Sequence, residues 1–479
     1  MAELHDLTAL EQAAGIRSGE LSPVELTEHY LARIERLDAT LGAFLTRTPD
    51  LARKQAAEAE SEAAAARREG RALPPLYGVP VPVKDLQQVA GVRCTMGSRA
   101  LADHVPTTDD HVVARLRAGG TVLLGKTNTP EFGLPCYTEN GLAPPARTPW
   151  DLSRSAGGSS GGAAAAVAGG LAPVAHASDG GGSIRIPASV CGLYGIKPSR
   201  GRISSGPLLH DVSGLSTSGP LARTVADAAA LLDVMAGAMP GDPYGAPPLP
   251  PGETFAAHAV RDPGRLRIAV LTGAPVPEVT VHPDCRAATA DTAALLTGLG
   301  HEVEELSLPA DDTLRHAFSR VWSVLAALRP LPPAAEEQLM PLSRYLRRRG
   351  AEVGGVDFAA ALRTFRALGQ SVADGLMPAG GYDVLLSPTL ATPPAAVGAL
   401  RNDADPQAEF AAMTAFTPFT SLYNATGQPA VNVPLQWNAE GLPIGVMLGA
   451  RYGDEATLIA LSAQLEQARP WAARTPPVW

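Results

Sequence analysis

Lysine is scarce in this 479-residue chain: Lys54, Lys84, Lys126 and Lys197 stand against 35 arginines. Arginine stays protonated in proteins, whereas burial can neutralise lysine. A chain that writes nearly every cation as arginine keeps lysine where arginine cannot serve. Three of the four lysines fall between residues 84 and 197, so chemistry is sought there.

Cysteine is as sparse. Cys94, Cys136, Cys191 and Cys285 lie far apart and form no CxxC pair. That argues against a zinc site or a disulfide framework and for free thiols in a reducing setting. A basic excess is missing too: the net charge is −9, with no footprint for nucleic acid. No apolar run is long enough for a bilayer; residues 163–175 are mostly Ala and Gly. Residues 1–6 are acidic and show no basic start before an apolar stretch, so no secretory leader is expected. The expectation is a soluble cytoplasmic protein with no membrane or nucleic-acid partner, no metal and no cofactor.

What is present suits a large core: 45% of residues are hydrophobic and 18% charged. Ser22-Pro23-Val24-Glu25 supplies a helix cap, a first-turn proline and a capping-box glutamate. Leu26, Tyr30, Ile34 and Leu37 follow at helical spacing. Residues 51–69 read as a long exposed helix ending near Gly70. Short apolar runs then alternate with helical stretches. Strands are expected at 77–83, 121–124, 171–175, 265–271, 302–306, 383–388, 431–435 and 444–448, and helices at 110–118, 161–168 and 284–299. This alternation implies an α/β core, a sheet covered by helices. The expected division is an N-terminal helical segment over 1–70 and a core over 71–479, with a helical insertion near 310–380.

Two glycine-serine clusters stand out, at residues 157–162 (GGSSGG) and 178–185 (SDGGGSIR). Three glycines before a serine let several N–H groups point into one small volume, as an oxyanion hole requires. The serine ending such a run is placed to act as an acyl-transfer nucleophile. Such runs are more often plain loops. The serine needs a base. Histidine is absent after His316, and His176 reads as a packed residue in a buried strand. Lys84, at the end of an apolar strand, is the other candidate; on the residues alone the favoured reading is a solvated cation paired with Asp85.

Residues 157–198 (GGSSGGAAAAVAGGLAPVAHASDGGGSIRIPASVCGLYGIKP) resemble the signature of the amidase signature family. Gly78-Val79-Pro80, Lys84-Asp85, Gly125-Lys126-Thr127-Asn128, Glu131-Phe132 and Pro149-Trp150-Asp151 agree upstream. Ser218-Gly219-Pro220, Arg223-Thr224-Val225, Asp227, Asn424, Gly427-Gln428-Pro429-Ala430 and Gly441-Leu442-Pro443-Ile444-Gly445 agree downstream. The likeness covers most of the chain and is weakest from about 240 to 380. It implies a single large α/β/α domain with a central mixed sheet.

The resemblance also implies roles. Ser183 would be the acyl-enzyme nucleophile, Lys84 the neutral base and Ser159 the bridge between them, with a cis peptide bond next to Ser159. N–H groups of Gly180, Gly181, Gly182 and Ser183 would form the oxyanion hole. Ser160, Asp179 and Arg185 would support the two loops. The activity implied is hydrolysis of a small-molecule carboxylic amide, linear or cyclic, at a carbon–nitrogen bond other than a peptide bond. The 178–187 run is similar to that of cyclic amide (nylon-oligomer) hydrolases. Pocket walls are expected from residues 134–137 with Cys136 and Tyr137, from the 310–345 insertion with Trp322, and from residues 416–423, and a homodimer is the default assembly.

The chain departs from common family patterns at Thr148, at residues 141–146 (GLAPPA), at Gly180 and at Ile186. These bear on the pocket wall and weaken the alternative of an amidotransferase subunit that releases ammonia to a partner. Two rival motifs are weaker. Residues 157–161 fit G-x-S-x-G but lack a preceding strand and a later histidine. Residues 120–127 fit the P-loop pattern, but Thr-Val-Leu-Leu between the glycines reads as a buried strand.

Overall fold

The apolar runs that alternate with helices become strands of one sheet. The computed structural model describes residues 3–207, 211–307, 311–378 and 381–479. Residues 1 and 2, from the start read for a leader, and 310, 379 and 380, at the ends of the expected insertion, lie outside the described residues. In chain order the strands are β1 (Phe44–Arg47), β2 (Val83–Lys84), β3 (Gly125–Thr127) and β4 (Val174–Asp179). They continue as β5 (Tyr194–Lys197), β6 (Thr217–Ala222), β7 (Arg267–Val270) and β8 (Glu302–Glu305). The last three are β9 (Val384–Pro388), β10 (Ala430–Trp437) and β11 (Pro443–Ala450). Their order across the sheet is β1-β3-β2-β4-β6-β5-β10-β11-β9-β7-β8.

The sheet is mixed. β2 runs parallel to β3 and β4, and β7 parallel to β8 and β9, while the remaining pairs are antiparallel. Every residue of β4, β6, β9 and β11 is buried. Side chains alternate between the two faces of a strand, so full burial means that both faces are covered. Helix Gly161–Ala168 is made of small residues for this reason. A Cβ on Gly162 would sit 2.3 Å from Asn128 N and 2.5 Å from Ala43 O, so only glycine allows this approach.

The start of the chain follows its capping signals. Ser22 Oγ accepts from the N–H groups of Val24 and Glu25 and starts helix Pro23–Leu41. Leu26, Tyr30 and Ile34 are buried along it. Helix Pro49–Glu69 ends at Gly70 and buries an alanine stripe from Ala52 to Ala66, so it is exposed on one side only. Between these helices β1 joins the sheet at its edge, in a stretch that reads as helical. Residues 313–371 contribute three further helices, Thr313–Leu328, Pro341–Ala351 and Gly355–Ser371. Among the described residues, no helix is long and apolar enough to cross a membrane.

Three strands sit later than their apolar runs suggest. Of 77–83 only Val83 enters β2, because Pro80 and Pro82 have no N–H for a ladder, and Pro80 makes only an isolated bridge. Residues 121–124 are buried, but ladder pairing begins at Gly125; Val122 makes only an isolated bridge to Pro80. The run at 171–175 first closes the preceding helix, with Leu171 N–H on Ala166 O at 2.7 Å, and pairing starts at Val174. The segment with the P-loop pattern is therefore a buried stretch running into β3 at Gly125–Thr127, and Lys126 Nζ is buried against Asp85 Oδ1 (2.9 Å) and Gln87 O (2.7 Å).

Candidate active site

Three chain segments converge at one edge of β4. β2 ends on Lys84. β4 ends on Asp179 and passes into Gly180-Gly181-Gly182-Ser183 before helix Arg185–Cys191. The other glycine-serine cluster, with Ser159 and Ser160, leads into helix Gly161–Ala168.

Lys84 is fully buried. Its Nζ donates to Ser159 Oγ at 2.8 Å and to Ser178 O at 3.2 Å. Burial lowers it from the ordinary 10.5 to about 7, against the opposing pull of the Asp179 charge. Asp85 does not hold it: Oδ1 takes Lys126, and Oδ2 accepts from Thr95 N and Oγ1 at 2.9 and 2.6 Å. The solvated, paired cation is therefore excluded. His176 is packed behind Lys84. Its Nδ1 accepts from Lys84 N at 3.3 Å and its Nε2 lies 3.0 Å from Ser218 Oγ. Burial, then the charges of Lys84 and Lys126, hold it near 3, so it is neutral.

The two serine loops are tied to each other. Ser160 N–H donates to Ser183 O at 3.2 Å, and Ser160 Oγ donates to Ser178 O at 3.0 Å. The peptide bond between Gly158 and Ser159 is cis. Asp179 and Arg185 form a fully buried two-pronged pair, with Nε on Oδ2 and Nη2 on Oδ1, both 3.0 Å. Burial pushes the Asp179 carboxyl up, but Arg185, with Lys197 and the Asn424 hydrogen bond, holds the group well below the usual carboxylate range. Arg185 also donates to Thr420 O and Asn424 Oδ1, each at 2.8 Å.

Asn424 Nδ2 returns to Asp179 O and Oδ1 at 3.0 and 2.9 Å. Thr420 Oγ1 donates to Gly181 O at 2.6 Å. Asn424 carried a motif in the sequence without a role; Thr420 fell within the expected wall stretch 416–423, but its contact with Gly181, 239 positions away, had no signal there.

The expected donor set needs one correction. Gly182 N–H donates to Asp179 Oδ1 at 2.7 Å, because the ionised carboxylate closes this turn, so Gly182 offers no free donor. Its φ of 131° and a Cβ position 2.4 Å from Thr420 Oγ1 still require glycine. Among the described residues, the N–H groups of Gly180, Gly181 and Ser183 have no hydrogen-bond acceptor. The Ser183 hydroxyl, likewise unpartnered among them, opens onto a cavity.

Comparison with known proteins gives the family. The Amidase family model matches residues 25–459. AmiB2 of Mycobacterium tuberculosis, which carries a provisional amidase name, is 42% identical over 483 residues, 98% of each chain. The 6-aminohexanoate-cyclic-dimer hydrolase of Paenarthrobacter ureafaciens is 38% identical over 98% of this chain and 96% of its own. A solved structure of 6-aminohexanoate cyclic dimer hydrolase superposes over the whole of both chains, with a TM-score of 0.90 at 36% identity. The chain belongs to the amidase signature family. It is an amide hydrolase with that family's single α/β domain and large mixed sheet.

The amidase opens Ser183 to two cavities. One, of about 390 Å³, is lined by Ser159, Gly180 and Ser183 together with Met96, Phe132 and Trp322. The other, of about 60 Å³, is lined by Gly181 and Ser183 with Cys136, Ile186, Phe318 and Trp322. Cys136 and Trp322 both line the smaller cavity. Tyr137 does not: it is buried and its hydroxyl donates to Glu409 Oε1 at 2.5 Å, behind the loop rather than in the pocket wall. Ile186, whose departure from the family pattern bears on the pocket wall, lines the smaller cavity, as does Phe318, which the sequence reading covered only as part of the 310–345 stretch. The four cysteines are free and buried, and burial pushes Cys136 up to about 12, which leaves it an inert wall group.

Proposed function

We propose that this amidase hydrolyses a small-molecule amide, linear or cyclic, through an acyl-enzyme on Ser183. The observation that carries the reading is the 2.8 Å contact between the fully buried Lys84 Nζ and Ser159 Oγ, with Lys84 lowered to about 7. Neutral Lys84 takes the Ser159 proton as Ser159 takes the proton of Ser183. Ser183 Oγ then bonds to the amide carbon, and the oxyanion is met by N–H groups of Gly180, Gly181 and Ser183. The carbon–nitrogen bond breaks as the nitrogen takes a proton from Ser159, which is replaced from the Lys84 ammonium. Water, deprotonated through the same relay, attacks the acyl-enzyme, releases the acid and restores Ser183.

Ser160, Asp179 and Arg185 serve as the frame of the two loops, and helices near 310–380 serve as an insertion that shapes the pocket. A cytoplasmic homodimer is the setting we assign. The likeness to the cyclic dimer hydrolases favours a cyclic or oligomeric amide within this class. Incubating the purified chain alone with a fluorophosphonate, followed by peptide mapping, tests the nucleophile: the label is expected on Ser183. A label on Ser159 or Ser160 refutes it. Turnover of simple amides by the chain alone separates a hydrolase from an amidotransferase subunit, which needs its partner.

A further inference from the structure

We infer that Phe318 is the stop that limits acyl length, so this enzyme prefers short acyl groups joined to large amines. The inference rests on the Ser159–Ser183 relay proposed above, because that relay tells the two sides of Ser183 apart. The departing nitrogen must take its proton from Ser159. Ser159 lines the 390 Å³ cavity and is not among the residues lining the 60 Å³ cavity. The amine half of the substrate therefore occupies the larger space, and the acyl half points past Gly181 into the smaller one.

The acyl side is small because of two rings on one helix. Phe318 and Trp322 lie one turn apart on Thr313–Leu328 and stack with centroids 5.2 Å apart and planes inclined by 20°. Both rest on the glycine run. A Cβ on Gly181 would come within 2.8 Å of Phe318 Cζ, and one on Gly180 within 3.1 Å of the Trp322 ring. Beyond Phe318 lies a third cavity of about 650 Å³, with Leu314, Leu368, Leu376 and Leu422 in its wall. Gly181, Phe318, Phe410, Thr414 and Thr417 stand in the walls of both the 60 Å³ and the 650 Å³ spaces. Phe318 is the one among them whose ring abuts the backbone beside Ser183. Trp322 also lines the amine-side cavity, so it separates the two halves, whereas Phe318 closes the acyl end. Removing the Phe318 ring would join a space that holds a short acyl group to an apolar one roughly ten times larger. An alkyl chain entering it would gain with each buried methylene.

The experiment uses p-nitroanilides of acetic, butyric, hexanoic and octanoic acids, which share one amine, and reads nitroaniline release. In the wild type kcat/KM should fall at least about 10-fold from acetyl to octanoyl, the scale on which a hydrophobic pocket discriminates by size. In Phe318→Ala the octanoyl-to-acetyl ratio should rise at least about 10-fold on the same scale. Phe318→Leu should fall between them, and it carries the test if the alanine variant does not fold. A wild type blind to chain length, or inert to all four anilides, overturns the inference. So does a folded variant whose four rates change in parallel. Fluorophosphonate labelling is run on every protein: a label on Ser183 with no change in chain-length profile defeats this inference alone. A label elsewhere defeats the underlying relay and this inference with it.

Discussion

Lys84 and Asp85 are neighbours in the chain yet serve different partners: Lys84 Nζ lies 2.8 Å from Ser159 Oγ, and Asp85 Oδ1 lies 2.9 Å from Lys126 Nζ. One lysine is thereby left beside a hydroxyl with burial lowering its affinity for a proton, while the other is held by a carboxylate.

Activity should depend on neutral Lys84. With the group lowered to about 7, kcat/KM on one good amide should rise as pH increases through about 7 and then level. Lys84→Arg and Lys84→Ala should fold and lose about 10²–10⁴-fold in rate, the usual contribution of a positioned base. Lys54→Arg, on the exposed face of its helix beside Glu58, should be silent. Rates across pH for these proteins, with circular dichroism for folding, check this. A folded and active Lys84→Arg would move the base elsewhere.

The same lysine should cost stability. The unfolded chain keeps its proton up to about 10.5, whereas the folded chain releases it near 7. Between those values the unfolded state binds more protons, so raising pH favours folding. Lys84→Met should therefore melt higher than wild type at pH 7, by about 2 kcal/mol once its two lost hydrogen bonds are deducted. The advantage should shrink as pH rises towards 10. Denaturant titrations at several pH values measure the difference; a Met variant equal to wild type at pH 7 contradicts it.

Ser159→Ala should slow acylation of Ser183 severely yet leave Ser183 in place. Ser183→Ala should abolish turnover, apart from what the free N–H groups alone supply. Single-turnover kinetics with intact-mass detection of the acyl-enzyme separate the two variants. Near-normal amide turnover by Ser159→Ala would remove Ser159 from the relay.

Asp179→Asn leaves Arg185 charged, buried and short of its partner, and should cost about 3–5 kcal/mol in a denaturant titration. The double change Asp179→Asn with Arg185→Met should cost less than the sum of the two single changes, because no charge is stranded. Strict additivity would mean that the pair is not coupled.

Thr420→Val keeps the shape of a fully buried side chain but removes the donor to Gly181 O. Released at one point, the glycine run should misplace its N–H groups. The expected result is a fall in kcat of about 10-fold or more, with a smaller change in KM. A change confined to KM would mean that Thr420 shapes binding only.

The sequence made the chemistry legible because residues that are close in the chain carry much of it. The glycine run, Ser183, Asp179 and Arg185 lie within seven positions, and Ser159 and Lys84 could be sought upstream by motif. The parts that stayed hidden are long-range. Thr420 meets Gly181 across the sequence, and Phe318 comes from the stretch least like the family. Gly182 looked like its neighbouring glycines until the Asp179 carboxylate claimed its N–H. Tyr137 has the composition of a wall residue, and only the position of Glu409 turns it inward. β1 is four residues long and lies between two strong helices, so no local pattern announces it.

The pairing of Val83 with His176 across β2 and β4 acts as a reading frame for the enzyme. Side chains on a strand alternate in direction, so a slip of one residue sends each to the opposite face. Deleting one residue from 77–82 would draw Lys84 into the place of Val83, turned to the opposite face, and would set Asp85 where Lys84 now stands. Such a chain could keep its glycine run and Ser183 and still hold no lysine beside Ser159. A point of genetic fragility is thus an ordinary apolar stretch, in which the number of residues matters as well as their identity.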